Sequence, residues 1–204
     1  MRGRLISVEG IDGAGKTTLL EGVARALEER GLAVERLREP GSDPLSEQLR
    51  TAVQKLDIAV DPRAEALVYA AARAQLTASR LRPLLEGGAL VLLDRFVDSS
   101  LAYQGGGREL GIEAIRSINR FATGGLLPDR TLLIDLPPAA ALSRLPKEGR
   151  DRVERSGLQF FERVASAYRT LAAEEPQRIV LLDGTLPPAT LREQALSAIA
   201  DLIS

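Results

Sequence analysis

Gly10-Ile11-Asp12-Gly13-Ala14-Gly15-Lys16-Thr17 has the spacing G-x-x-x-x-G-K-T. It follows the β-type run Leu5 to Glu9 and opens a helical stretch on which Leu20, Val23, Ala24 and Leu27 share one stripe. Glycines let successive backbone N–H groups turn toward one anion, and the helix N-terminus adds its partial positive charge. In such a loop Lys16 reaches the β/γ-phosphates of a nucleoside triphosphate and the Thr17 hydroxyl is placed to ligate Mg²⁺. The alternative is a glycine-rich connector with Lys16 as a surface charge; the agreement of motif, preceding strand and following helix favours the phosphate cradle.

Outward from this loop, short apolar runs recur at Leu5 to Val8, Ala33 to Leu37, Ala89 to Leu93, Thr131 to Leu136 and Arg178 to Leu182. Most are continuously apolar, as strands covered on both faces of a parallel sheet must be. Helical stripes lie between and after them: Leu158, Phe161, Ala165, Tyr168 and Ala172, then Leu191, Ala195, Ile199 and Leu202. Gly31 stops the first helix and Pro176 follows the long one that begins near Gly157. The order is βαβα with extra helices after the second and third strands. It predicts an α/β P-loop NTPase, three layers αβα around a five-stranded parallel sheet, as one domain over residues 1–204. The charged stretch 146–157 reads as a loop.

Composition narrows the chemistry. The chain of 204 residues carries 27 Lys plus Arg against 28 Asp plus Glu, so no global positive field recruits a nucleic acid polymer or an anionic membrane. It has no cysteine and no histidine, which removes thiolate and histidine zinc sites and Ser-His-Asp or Cys-His catalysis. MRGRLISVEG lacks a signal-peptide apolar core and no apolar run approaches a membrane span, so a cytoplasmic protein is expected.

The third strand ends in Asp94-Arg95. A carboxylate there, beside a P-loop, is placed to hold Mg²⁺ directly or through water; its alternative role is to cap the next helix. The guanine-reading tetrapeptide N-K-x-D is missing, against a GTPase switch.

Gly10 to Thr18, Arg38-Glu-Pro-Gly41, Tyr69-Ala-Ala-Ala-Arg73-Ala-Gln75, Asp94-Arg95-Phe96 with Ser99 to Gly105, and Asp151-Arg152-Val153-Glu154 together resemble the thymidylate kinase family, over nearly the whole chain. The resemblance implies transfer of the γ-phosphoryl of ATP to dTMP with Mg²⁺, and a homodimer packed through helices. It assigns Arg95, Arg38 and Arg73 to the 5′-phosphate of dTMP, Tyr69 to stacking on thymine, and Tyr103 to the space beside the sugar. Ser99, Ser100 and Gln104 fall within the acceptor site, the last two placed to hydrogen-bond the base, and Asp12 corresponds to an acidic contact of the 3′-hydroxyl. Glu9 is a candidate for Mg²⁺ through water or for positioning the acceptor. Arg144 resembles the adenine platform, with Asp183-Gly184-Thr185 beside the base. Some members of the family carry a catalytic arginine at the position of Gly13. This chain resembles those that place basic residues in the lid, where Arg150 and Arg152 would close over the ATP phosphates and stabilise the transferring group with Lys16.

Three departures stand out: Ala72 where the family usually has Asp or Asn, Phe96 where Tyr is common, and a lid a few residues shorter. Two rival readings remain at this level: another P-loop nucleoside or nucleotide kinase, and a nucleotide-binding switch without transfer. A switch needs no second anion site, which is what Arg38, Arg73 and Arg95 would build.

Overall fold

The apolar runs become strands, and the central ones are buried on both faces: Leu5, Ile6, Val8, Val91, Leu92 and Leu93 are all inaccessible. The computed structural model describes residues 2–54, 59–146 and 151–203. Its strands are β1 (Arg4–Glu9), β2 (Val34–Arg38), β3 (Leu90–Asp94), β4 (Arg130–Asp135) and β5 (Ile179–Asp183). They form one sheet in the order β2-β3-β1-β4-β5, and every pairing is parallel. Each strand lies within two residues of the run read from the sequence.

The helices are α1 (Lys16–Glu28), α2 (Pro44–Gln54), α3 (Pro62–Leu76), α4 (Arg82–Glu86), α5 (Val97–Ser100), α6 (Ile112–Thr123), α7 (Pro138–Arg144), α8 (Leu158–Glu174) and α9 (Pro188–Ala198). Their starts follow local chemistry. Asp61 Oδ1 accepts from the Arg63 amide at 2.8 Å with Pro62 in the first turn, and Asp43 Oδ1 accepts from the Leu45 amide at 3.0 Å ahead of α2. Ser46 Oγ then donates to Ala72 O at 2.8 Å and ties α2 to α3.

Strand alternation divides the core into two layers. Ile6, Val8 and Leu92 meet Leu19, Leu20, Val23 and Leu27 of α1. Leu5, Val91 and Leu93 meet Leu76, Leu81 and Leu85 on the α3–α4 side. Each leucine so buried stabilises the fold by about 2 kcal/mol. Among the described residues no helix is long and apolar enough to cross a membrane.

Two features place the site. After β1 the chain visits the β2 edge and returns to β3 beside β1, then crosses to β4 on the other side of β1. A crevice therefore opens at the carboxyl ends of β1 and β3, where Val8 is in register with Asp94. Second, α5 crosses the sheet over a buried polar seam. Thr131 Oγ1 donates to Asp98 Oδ2 at 2.9 Å, and Arg178 grips the same inaccessible carboxylate with bonds of 2.7 and 2.8 Å. A bidentate guanidinium offsets the cost of burying that charge. The helix then widens into π-helical turns over Leu101–Gly107. There Gly107 lies so close to α8 that a Cβ would stand 2.6 Å from both Phe160 and Val164 side chains. That approach brings Tyr103 and Gln104 to the crevice.

Candidate active site

Two chambers open at the crevice. One is lined by Gly13, Gly15, Lys16, Thr17, Thr18, Arg38, Asp94 and Arg144, and so gathers the phosphate loop with the expected metal and adenine residues. Tyr69, Arg73, Ser99, Ser100, Tyr103 and Gln104 line the second. Asp12, Glu39, Pro40, Gln54, Arg95 and Asp151 border both, so the chambers meet at the Asp12–Arg95 junction.

In the first chamber Gly15 adopts φ +100° to launch α1, while Ile11 and Ala14 are buried beneath the loop and Gly10 sits against Ile134 O. Lys16 Nζ donates to Ile11 O at 3.0 Å across the loop. Burial and then the neighbouring Arg95 cation lower its ammonium to about 8. Thr17 Oγ1 donates to Asp94 Oδ2 at 2.9 Å. That pairing of a hydroxyl and a carboxylate at the loop suits Mg²⁺, a hard cation that takes one or two protein oxygens and completes its shell with phosphate and water. Among the described residues no cluster of three or more acidic side chains competes as a metal cage.

At the junction Arg95 has φ +70°, fixed by its amide bonding Val8 O at 3.1 Å and by the next amide, of Phe96, bonding Glu9 Oε1 at 2.6 Å. Its guanidinium lies 4.9 Å from the Tyr103 ring centroid and donates to Asp12 Oδ1 at 2.5 Å, Ser99 Oγ at 3.0 Å and Tyr103 Oη at 3.2 Å. Tyr103 in turn donates to Asp12 Oδ2 at 2.9 Å. Burial alone would raise the Asp12 carboxyl, but Arg95 and Lys16, with the hydrogen bonds from Tyr103 and Arg95, hold it below the ordinary carboxylate value.

The other expected residues are held by partners within the protein. Arg73, expected on the 5′-phosphate of dTMP, is buried in the wall of the second chamber. Its Nε donates to Glu39 Oε2 at 2.8 Å, its Nη1 to Ser100 at 2.9 Å and to Asn119, and its Nη2 to Phe96 O at 3.1 Å. It therefore stands with Tyr69, Ser100 and Gln104, the residues expected around the base. Phe96, where the family often has Tyr, lies under that guanidinium at 5.7 Å and is inaccessible, so it packs without a hydroxyl. Glu9 borders neither chamber. Alternation along β1 turns it to the same side as Leu5 and Ser7, where its oxygens accept from Phe96 N, Ser99 Oγ at 2.6 Å and Tyr168 Oη at 2.8 Å. Burial, reinforced by Asp98, raises its carboxyl to about 7. Through the Phe96 amide it braces the Arg95 turn. Arg38 reaches the first chamber but is paired with Glu47 at 2.5 Å. Arg152, expected over the donor phosphates, is bonded to Glu65 and to Val53 O. Arg150 and the rest of 147–150 lie outside the described residues.

A family model for thymidylate kinase matches residues 8–195. The chain belongs to the thymidylate kinase family. It is 46% identical over 204 residues to a thymidylate kinase of Limosilactobacillus fermentum, covering 98% of this chain and 95% of the relative. Similar matches are a thymidylate kinase of Oenococcus oeni at 45% (98% and 96% covered) and one of Deinococcus radiodurans at 44% (98% of each). As a thymidylate kinase family member the chain is a phosphotransferase of the nucleoside monophosphate kinase type.

Sequence reading passed over Glu39, Asn119, Glu65 and Tyr168. Glu39 lay inside the quoted 38–41 segment, whereas Asn119 is marked only by its place on α6, four residues after the Ile115 carbonyl to which its amide donates at 2.8 Å. Nothing local signals that Glu65 or Tyr168 carries a buried polar partner.

Proposed function

We propose that this enzyme transfers the γ-phosphoryl group of ATP to dTMP in the presence of Mg²⁺, giving ADP and dTDP in the cytoplasm, with residues 1–204 acting as one catalytic unit and 146–157 as its lid. The observation that carries this reading is the junction: two chambers share one guanidinium, Arg95, which stands beside Asp12 and opposite the phosphate loop. Two anionic nucleotides laid head to head need a cation between their phosphates, and a planar fork both offsets the repulsion and fixes orientation.

ATP phosphates would lie in the amides of Gly10 to Thr18 with Lys16 on the β/γ oxygens and the purine against Arg144. Bound Mg²⁺, held at Thr17 and Asp94, would supply charge neutralisation on the β- and γ-phosphates. The acceptor would enter the second chamber with its base against Tyr69, near Arg73, Ser100 and Gln104. Its sugar would lie at Tyr103 and Asp12, and its phosphate at Arg95 beside Ser99, with Arg38 reaching the outer side. No side-chain base is needed, since the attacking phosphate oxygen is already anionic; the chain's task is alignment and charge stabilisation. A coupled ADP-release assay across nucleoside monophosphates tests this. We expect dTMP to exceed dAMP, UMP and free thymidine by more than about a hundredfold in kcat/KM, with turnover lost on chelation of Mg²⁺. Preference for another acceptor removes the substrate assignment.

Homodimer formation is part of the same proposal. Phe121 on α6 is 91% exposed and Leu67 on the neighbouring α3 is 56% exposed, an unusual outlay of apolar surface on two helices that pack together. Phe121→Glu is expected to convert a dimer to a monomer in light scattering at micromolar concentration; an unchanged mass places the interface elsewhere.

A further inference from the structure

Arg73 reaches the acceptor chamber from α3 with its guanidinium buried, and its partners divide by where they stand. Glu39 and Ser100 line the chamber with it. Phe96 O, 3.1 Å from Nη2, and Asn119 of α6 stand behind the wall. Asn119 faces a separate cavity on the other side of α5, beside Val97 and Asp98. Among the described residues Asn119 is the one side chain that bonds the fork from behind, since the Phe96 contact is a backbone carbonyl.

A guanidinium is planar, and what fixes its plane decides where its N–H groups point. The Glu39 carboxylate takes one edge of the fork, accepting from Nε at 2.8 Å and pairing with Nη2. Such an edge pairing leaves the plane free to turn about the line from that edge to Nη1, the nitrogen opposite. Nη1 carries two N–H groups: one donates to Ser100 Oγ at 2.9 Å, on the chamber side, and the other to Asn119 Oδ1. By taking one of them Asn119 stops the turn and commits the other to the chamber. Its own amide cannot be reversed. Nδ2 donates to Ile115 O at 2.8 Å, a group that only accepts, so Oδ1 is the end that meets a guanidinium, which only donates.

We propose that Asn119 is a positioning residue for acceptor binding: by holding Nη1 it fixes the plane of Arg73 and the Ser100 contact in the arrangement the acceptor nucleotide meets, while lining neither chamber itself. An arginine ordered in advance spares the acceptor the entropy of ordering it, and a loosened fork returns that cost to binding. The phosphate loop holds ATP without Arg73, so the effect is confined to the acceptor.

This inference rests on the proposed function, and wild-type turnover separates the two. A wild-type enzyme that does not phosphorylate dTMP removes the functional reading, whereas an active wild type with an adverse result below removes only this one. Steady-state constants and thermal melts are measured for Asn119→Leu, Asn119→Ala and Asn119→Asp. Leucine branches at the same carbon as asparagine but offers no acceptor, and alanine adds no bulk, so the second reports even where the first does not fold. Both are expected to raise the KM for dTMP about tenfold, with kcat within about threefold and the KM for ATP within about twofold of wild type. Asn119→Asp keeps an oxygen for Nη1 and should bring the KM for dTMP back to within about threefold of wild type. The proposal is overturned if a folded leucine or alanine variant keeps the wild-type KM for dTMP, if kcat falls or the KM for ATP rises as much, or if the aspartate variant is as impaired as the leucine one. Failure of both apolar variants to fold also overturns it, because Asn119 would then serve the core rather than Arg73.

Discussion

Replacing Arg95 with alanine is expected to lower kcat/KM for dTMP about a thousandfold while ATP affinity stays within about threefold of wild type. The guanidinium is 16% exposed and holds three polar partners, Asp12, Ser99 and Tyr103, at the point where the chambers meet. The left-handed backbone of this non-glycine residue costs on the order of 1 kcal/mol, and the Val8 carbonyl and Glu9 carboxylate restrain it there. A fold that maintains such strain at one arginine holds its fork in place before ligand arrives, so little ordering is left to do in the transition state. Arg95→Lys keeps the charge but loses the planar fork and should recover no more than about tenfold of the loss. Isothermal titration with ATP and single-turnover rates with dTMP read the two quantities separately. Equal loss of ATP affinity and turnover would show that Arg95 supports the phosphate loop, not the acceptor.

How far the chain reveals itself depends on the range of each interaction. β1, α1 and β3 were legible because continuous apolar runs and a 3.6-residue stripe are local, and the glycine-rich loop between them is a local motif too. Asp94 belongs to the same class: alternation puts it on the α1 side of β3 with Leu92, where Thr17 meets it. Alternation also fixes Glu9 on the opposite side of β1, toward Tyr168 on α8, a partner 159 positions away that its place beside the loop does not signal. Arg73 was legible as a site residue, but its partners were not. A helix stripe says which face is inward and nothing about what lies across from it, here Glu39, Ser100 and Asn119 from three other segments. The bonds of Glu65 to Gln104 and Arg152 join residues 39 to 87 positions apart, a distance over which periodicity carries no signal.

Gly13 yields the second large effect. This is the position at which some members of the family carry arginine, and here that residue cannot be accommodated. Gly13 has φ +82°, and a Cβ built on it falls 2.2 Å from the Ala141 carbonyl oxygen and 2.9 Å from the carbonyl carbon, both backbone atoms of α7. No rotamer relieves a clash made by Cβ itself, and the positive φ adds its own strain. Together these cost on the order of 3 kcal/mol, which for a chain of this size lowers the melting temperature by about 10 °C. Gly13→Arg is therefore expected to lose at least about a hundredfold in ATP affinity as the loop is pushed off its anion-binding shape. Gly13→Ala should do nearly the same, because the fault begins at the first side-chain carbon. Thermal melts and ATP titration of the alanine variant are the decisive pair: wild-type values for both would mean that α7 gives way, and that a cation could be added to this loop. If α7 holds, positive charge beside the transferring phosphoryl must enter from Lys16 within the loop and from the guanidinium groups across the crevice. Arg95, at the end of β3 and beside Asp12 of the loop, is the guanidinium already in that position.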